Sequence, residues 1–489
     1  MDSSSPPSCH DYALMFLQEL RAQGDTRRWR WDAGRQGLVV RDNGLAGSPP
    51  TENLFLSNLH QEWLQAPPQA RPERLRQAVQ SVIERHVPDN VDDARPHLLP
   101  LVRNAADRGQ GALLADFEHA GIVHRPLCDN LEIQLGYDKP TSIMRVPVAQ
   151  LAKWGLSIDE AFDIALANLR ARSSAGMREL RRGTWASAWN DDHDTARLLL
   201  PEVLARHPVR GAPVVMLPSH GRLLLTGDQD ADGLALLVRL TIEAQDQPRA
   251  LSPLMLRLAD GRWSAVMPAA HATELRGLRL LADAQAYANQ KPLLEERAKR
   301  RGEDVFVASC MLAREPDGRP SRSACTWTKD VAALLPRTTW LTFVDLDVGR
   351  TSTLIVEWDK ALPIVGALMR ETDDIPPRYH VTTWPDASQL ARLAAVRIPP
   401  AAAGAAPPAP STPAAVRPPR APRPQPEFRL KSLVMATVCL GLAAVGASGV
   451  REIQDTAAAA MAWAGIVVFG VLGLVSGRAF YRGMFPPGP

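Results

Sequence analysis

A chain of 489 residues is too long for one ordinary hydrophobic core, and 45% apolar with 22% charged residues is the composition of a folded protein. Its 56 Lys and Arg stand against 53 Asp and Glu, a net charge of +3, which supplies no overall field for nucleic acid or an acidic substrate, so no nucleic acid is expected as a partner. Five cysteines, Cys9, Cys128, Cys310, Cys325 and Cys439, are odd in number and form no CxxC pair, which argues against a secreted disulfide framework or a structural zinc site.

The N-terminal stretch MDSSSPPSCHDYALMFLQEL has no basic segment ahead of an apolar core, and Asp11 and Glu19 flank its hydrophobic run, so neither a signal nor a transit peptide is expected. Further on, Ser157 with Glu160 forms a capping-box pattern. Phe162, Ala165, Leu166 and Leu169 recur at helical spacing behind it and predict an amphipathic helix through about Arg172. Asp191, Asp192, His193 and Asp194 are residue types used for metal or acid–base chemistry, but they precede a predicted helix over Thr195 to Arg206, where N-capping calls for the same types.

Ala212 to Leu217 and Arg222 to Thr226 predict a hairpin joined by Pro218, Ser219, His220 and Gly221, with no G-x-S-x-G elbow around the serine. Asp228, Asp230 and Asp232, followed by Gly233, open like an EF-hand calcium loop. Position 12 is Arg239 where a bidentate Glu is needed, so the expected role is to stabilise the start of a helix near Leu234. Glu118, His119 and His124 lack the H-E-x-x-H spacing, and no Walker or dinucleotide loop occurs, so no cofactor, no metal and no catalytic residue is assigned.

A second hairpin is signalled by Asp260-Gly261 between alternating Leu254, Leu256 and Leu258 and the pair Trp263 and Ala265; a helix follows over Glu274 to Arg301. Strands at Val305 to Leu312, Arg322 to Thr328, Thr339 to Val344 and Thr353 to Trp358 predict a small antiparallel sheet. The turn signal Pro316-Asp317-Gly318 lies midway between Cys310 and Cys325, so a symmetric hairpin would set the two thiols opposite one another as a candidate redox pair.

Ile398 to Pro426 is mostly Ala and Pro with a few Arg; such a segment buries no core and predicts an extended tether reaching on the order of 80 Å. Leu433 to Val450 and Ala457 to Val475 are uncharged and nearly long enough to cross ~30 Å of hydrocarbon as helix. Arg417, Arg420, Arg423, Arg429 and Lys431 before them and Arg478 and Arg482 after them place both chain ends in the cytoplasm.

The expected fold is therefore α+β, with mixed helices and short antiparallel strands over residues 1–290 and a small β-rich domain over 291–397. A tether over 398–426 and a C-terminal two-helix transmembrane hairpin over 427–489, with spans at about 433–450 and 457–475, complete it.

Four stretches, LFLSNLHQEWLQAPPQARPERL from Leu54, HRPLCDNLEIQLGYDKPTSI from His124, SIDEAFDIALANL from Ser157 and APVVMLPSHGRLLLTG from Ala212, resemble in order the YtpQ-like family of bacterial proteins of unknown function. The resemblance covers roughly the first 290 residues and rests on Asn58-Leu59, Asn168-Leu169 and the hairpin at Pro218. It implies a bacterial cytosolic α and β domain and carries over no catalytic residue. The strands from Val305, the tether and the predicted spans lie beyond it.

Together these features predict a cytosolic binding or regulatory module tethered to the bacterial inner membrane, with the lipid bilayer and a protein near the inner membrane face as partners. The alternative is an enzyme, such as a metal-dependent hydrolase using the Asp228 loop or the Asp191 cluster.

Overall fold

The structure is a computed structural model. It describes residues 6–33, 36–40, 52–83, 87–114, 121–139, 142–245, 247, 249–346 and 352–398. The chain divides into two compact units, Met1–Ala282 and Asp283–Pro489. The division falls inside the long helix Ala272–Arg301, whose first turn carries Glu274 and whose last carries Lys299, Arg300 and Arg301, the signs the helix dipole favours at each end.

In the first unit, Ser8 and Asp11 form a reciprocal cap on the helix Cys9–Ala22. Its Tyr12, Phe16 and Leu20 pack with Trp63, Val79 and Val82 from the helices Ser57–Gln65 and Arg71–Ile83. A three-stranded antiparallel sheet, Arg30–Asp32, Gly37–Val40 and Glu52–Phe55, contributes Leu38 to the same core.

Next comes a four-stranded antiparallel sheet in which Leu131–Asp138 lies between Leu98–Asn104 and His124–Cys128 and also pairs with Ile143–Arg145. The segment LEIQLGYD alternates with period two, so Leu135 and Tyr137 face one way and Glu132, Gln134, Gly136 and Asp138 the other. The apolar face packs on Ala161, Phe162 and Ala165 of the helix Ile158–Ala171, which Ser157 and Glu160 cap as the sequence predicts.

A six-stranded antiparallel sheet follows, in the order Arg262–Val266, Met255–Ala259, Pro213–Ser219, Arg222–Gly227, Thr184–Ala186, Arg178–Arg181. Both predicted hairpins are present as its central and edge pairs. The helix expected over Thr195 to Arg206 is instead a 3-10 turn, Asp194–Leu199, and a short helix, Pro201–Leu204. Pro201 brings no N–H and pushes Leu200 out of the helical region, to ψ 79, which breaks the run.

Two features correct the expected fold. The second unit is not one small antiparallel sheet but two four-stranded sheets with parallel pairs. Pro320–Thr328 runs parallel to Trp340–Asp345, and Phe306–Val307 runs parallel to Ala333–Pro336. The chain between the first of these partners leaves to build Ala333–Pro336 in the other sheet before returning, and such a crossover makes neighbouring strands parallel. Helices Trp358–Val365 and Ala387–Ala395 cover its core around Trp327, Phe343 and Leu393.

Secondly, no helix of the described residues is long and apolar enough to cross a membrane, so the expected two-helix transmembrane hairpin is not found among them. The helix Ala272–Arg301 has the length, 30 residues, but charges recur along it from Glu274 to Arg301. Residues 433–450 and 457–475, and the tether from 399 onward, lie outside the described residues.

Candidate functional site

The acidic loop comes together as a cap. Asp228 accepts the Ala212 amide at 2.9 Å and pairs with Arg257 Nε at 2.7 Å. Asp230 is the N-cap of the helix Ala231–Glu243, accepting from the Gly233 amide at 3.1 Å and from Arg181 at 3.0 Å. Burial pushes the Asp230 carboxyl up, but the Gly233 amide and the Arg181 guanidinium outweigh it and hold the group below the usual carboxylate range. Asp232 meets the same arginine at 3.2 Å. Gly233 is needed for close approach: a Cβ there would stand 2.2 Å from Thr226 Oγ1. The three carboxylates thus face arginines and amides, and among the described residues no group of three or more His, Cys, Asp and Glu could hold a metal.

The Asp191–Asp194 cluster forms a latch whose His193 and Asp194 are buried, whose Asp191 is half-buried and whose Asp192 is exposed. Arg197, fully buried, grips both oxygens of Asp191 at 2.8 and 2.7 Å, donates to Ser173 Oγ and the Arg172 carbonyl, and lies 4.3 Å over the Trp189 ring. Burial raises the Asp191 carboxyl, yet Arg197 outweighs it and the net displacement is downward. Asp194 accepts the amides of Asn190 and Asp191, which closes a loop with Asn190 and Asp192 in the left-handed region at φ 55 and 61. His193 is buried with Nδ1 3.2 Å from the Pro100 carbonyl and Nε2 3.5 Å from Asp138 Oδ1, so it ties the loop to the neighbouring sheet. This loop does not start a regular helix.

Ser219 and His220 sit at the hairpin turn as predicted, where the His220 amide donates to the Arg249 carbonyl and its own carbonyl accepts from Thr195 Oγ1. Desolvation, helped by Arg103, Arg249 and Arg145, holds the His220 imidazole down to about 3, too low for a general base at neutral pH. His124 Nδ1 is 2.9 Å from the Ile122 carbonyl, a local bond; Glu118 and His119 lie outside the described residues.

Cys310 and Cys325 are both free. The register Met311 opposite Ala324 and Leu312 opposite Ser323, carried one step further, sets them across from each other. Burial pushes both thiols up to about 12, so neither is a thiolate at neutral pH and the pair lacks the reactivity of a redox switch. Cys325 is instead held by Thr338 Oγ1 and the Pro336 carbonyl.

Sequence reasoning missed the charged cluster on the polar face of the Leu131–Asp138 strand. Register puts Arg103 beside Glu132 and Arg145 beside Gly136, on the same face as Gln134. Glu132 and Gln134 are 3% and 0% exposed. Arg108, from the helix Ala105–Leu114 that follows Arg103, pairs with Glu132 at 3.0 Å, and Gln134 Nε2 donates to Glu132 at 2.7 Å. Gln134 Oε1 is buried with no partner.

Arg249 joins from the loop behind the hairpin, ion-paired with Glu62 at 2.7 Å and Asp192 at 3.3 Å. The Arg103 guanidinium donates only to the Val102 carbonyl, and the guanidinium of the exposed Arg145 has no hydrogen bond or ion pair among the described residues. Desolvation lowers the Arg103 guanidinium to about 10, with Arg145 and Arg249 adding to the effect and Asp107 opposing it. It raises the Asp107 carboxyl against the pull of Arg145 and Arg103. The available signal was the strict alternation of LEIQLGYD, which marks a polar face; nothing local says that this face is buried.

Compared with family models, with curated proteins and with solved structures, the chain finds no match, so the resemblance to the YtpQ-like family stands on the quoted stretches alone.

Proposed function

We propose that the chain is a binding or regulatory module that works at the inner face of a bacterial cytoplasmic membrane, in contact with a protein there. The observation that supports it best is the division of charge in the first unit. The acidic residues the sequence offers for chemistry are engaged by arginines and helix amides, whereas Arg103 and Arg145, on one face of a sheet, have no carboxylate bonded to them among the described residues. A guanidinium without a bonded carboxylate is able to recognise a partner's carboxylate or phosphate. Membrane attachment rests on the sequence alone, on the uncharged C-terminal stretches and the arginines that flank them. A metal-dependent hydrolase built on the Asp228 loop or the Asp191 cluster would need carboxylates free to converge on one ion, and those bonds leave none free.

Crosslinking in cells that make the full-length chain, followed by identification of the captured proteins, tests the reading. A discrete partner recovered from the membrane fraction is the expected result. Recovery of background proteins alone contradicts it.

A further inference from the structure

We propose that His207 is an acid-sensitive clamp on the outermost strand of the six-stranded sheet: when its imidazole takes up a proton, residues 174–179 come loose while the rest of the first unit stays folded.

The clamp follows from which atoms can donate. The Met177 amide donates to His207 Nε2 at 2.9 Å, and an amide N–H cannot accept, so Nε2 has to carry the lone pair. The proton of the neutral ring therefore sits on Nδ1, 3.1 Å from the Val203 carbonyl that accepts it. A second proton has only Nε2 to go to, where it would point at the Met177 N–H. Protonation thus replaces a bond by two opposed donors.

The surroundings leave the ring little room to avoid this. His207 is 7% exposed, and Trp185 of the neighbouring strand Thr184–Ala186 meets it edge-on, with ring centroids 5.0 Å apart. A Cβ on Gly176 would stand 3.2 Å from Nε2. No carboxylate is bonded to the ring among the described residues, and on the strand it holds the charged Arg178 and Glu179 are exposed. Burial pulls the imidazole below the ordinary histidine value and Arg206 adds to this, while the Val203 and Leu204 carbonyls pull the other way without reversing it. A histidine in the unfolded chain titrates near about 6.5, so the clamp is complete above that value and weakens as pH falls below it.

The segment it holds is thinly attached. Residues 174–176, 178 and 179 are exposed, whereas Met177 among them is 8% exposed and packs in the core with Leu169 and Val203. Both ends of the stretch are fixed by guanidiniums, which do not titrate in this range. Upstream, Arg197 donates to Ser173 Oγ and Arg206 to the Ser173 carbonyl. Downstream, Arg181 is held by Asp230 and Asp232. Between them Arg178–Arg181 is an edge strand, paired only with Thr184–Ala186 and with its register broken between Glu179 and Arg181. Loss of the Met177 anchor therefore frees residues 174–179 and uncovers the backbone edge of Trp185 and Ala186.

The test is hydrogen exchange read by mass spectrometry on full-length protein in detergent micelles, corrected for the intrinsic dependence of exchange on pH. Linkage to one proton lets the open-to-closed ratio of residues 174–179 rise by up to about tenfold between about pH 7.5 and about pH 5.5, and a rise of several-fold or more is expected. His207→Gln keeps an acceptor at the place of Nε2 but cannot be protonated. Once circular dichroism shows it folded, it should protect residues 174–179 as the parent does at the higher pH and lose no protection at the lower. Unchanged protection of 174–179 in the parent protein overturns the proposal whether or not the variant folds. An equal acid loss in the folded variant overturns it as well, as does a rise shared equally by the strand Leu131–Asp138, which marks general loosening.

Discussion

Two buried arginines set the energetic tone of this protein. Arg378, fully buried in the second unit, has no carboxylate bonded to it among the described residues; it donates to Gln290 Oε1 at 2.7 Å, to the Ala308 and Leu334 carbonyls, and to the Tyr287 carbonyl. Replacing it by Met takes the side-chain donor from Gln290 Oε1 and the Ala308 carbonyl, while the Leu334 carbonyl keeps the Ala308 amide, so Arg378→Met should lower the unfolding free energy of the second unit by about 2–4 kcal/mol, read from denaturant midpoints. Arg197→Met should also destabilise the first unit, less than this because the half-buried Asp191 that loses its partner is still reached by water. At the same scale His220 predicts a pH dependence. Its folded value, about 3, is far below the roughly 6.5 of an unfolded histidine, so the unfolded chain takes up the proton first. Stability from this group is therefore full above about 6.5 and falls as pH falls toward 3. His220→Gln should flatten the pH dependence of the unfolding free energy between about pH 6.5 and 5, by up to one proton's worth of slope. An unchanged slope in the variant would contradict the burial of a neutral imidazole there.

Individual elements show what was legible and why. The helix Ile158–Ala171 was readable because every determinant is local: a cap pair three residues apart and an apolar face at helical spacing. Ser157→Ala should cost about 1 kcal/mol, measured by thermal denaturation, since it removes one side of a reciprocal cap. The two hairpins were readable for the same reason, as turn residues between alternating strands. Failures came where a distant partner decides. Asp194 to Leu199 reads as the start of a helix, but Pro201 and the Arg197–Asp191 bond hold it as a tight 3-10 turn. The parallel pairing of Pro320–Thr328 with Trp340–Asp345 depends on where the intervening strand goes, which no local pattern states. Gly233 has a role that the loop pattern does not state. In a calcium loop its type serves a sharp turn, whereas here it admits Thr226 and Asp230 against the helix start. Gly233→Ala should therefore destabilise by about 1–3 kcal/mol in metal-free buffer, a loss that added calcium does not restore.

At the scale of the whole molecule, the candidate site was only half legible. The residue types of the Asp191 and Asp228 clusters stood out in the sequence, and their capping roles follow from position ahead of a helix or turn. The charged cluster around Glu132 was invisible, because Arg103 and Arg145 lie far apart in the sequence and acquire meaning only when strand register brings them to one face. The proposed function joins the folded units to a C-terminal segment whose role is read from hydropathy and flanking charge alone. In that proposal attachment would raise the effective concentration of the folded units at the bilayer. Whether the chain works at a membrane is tested most directly by sedimentation of cell lysate after a carbonate wash. Full-length protein is predicted in the pellet, and a chain ending at residue 398 in the supernatant. Full-length protein in the supernatant would contradict the account.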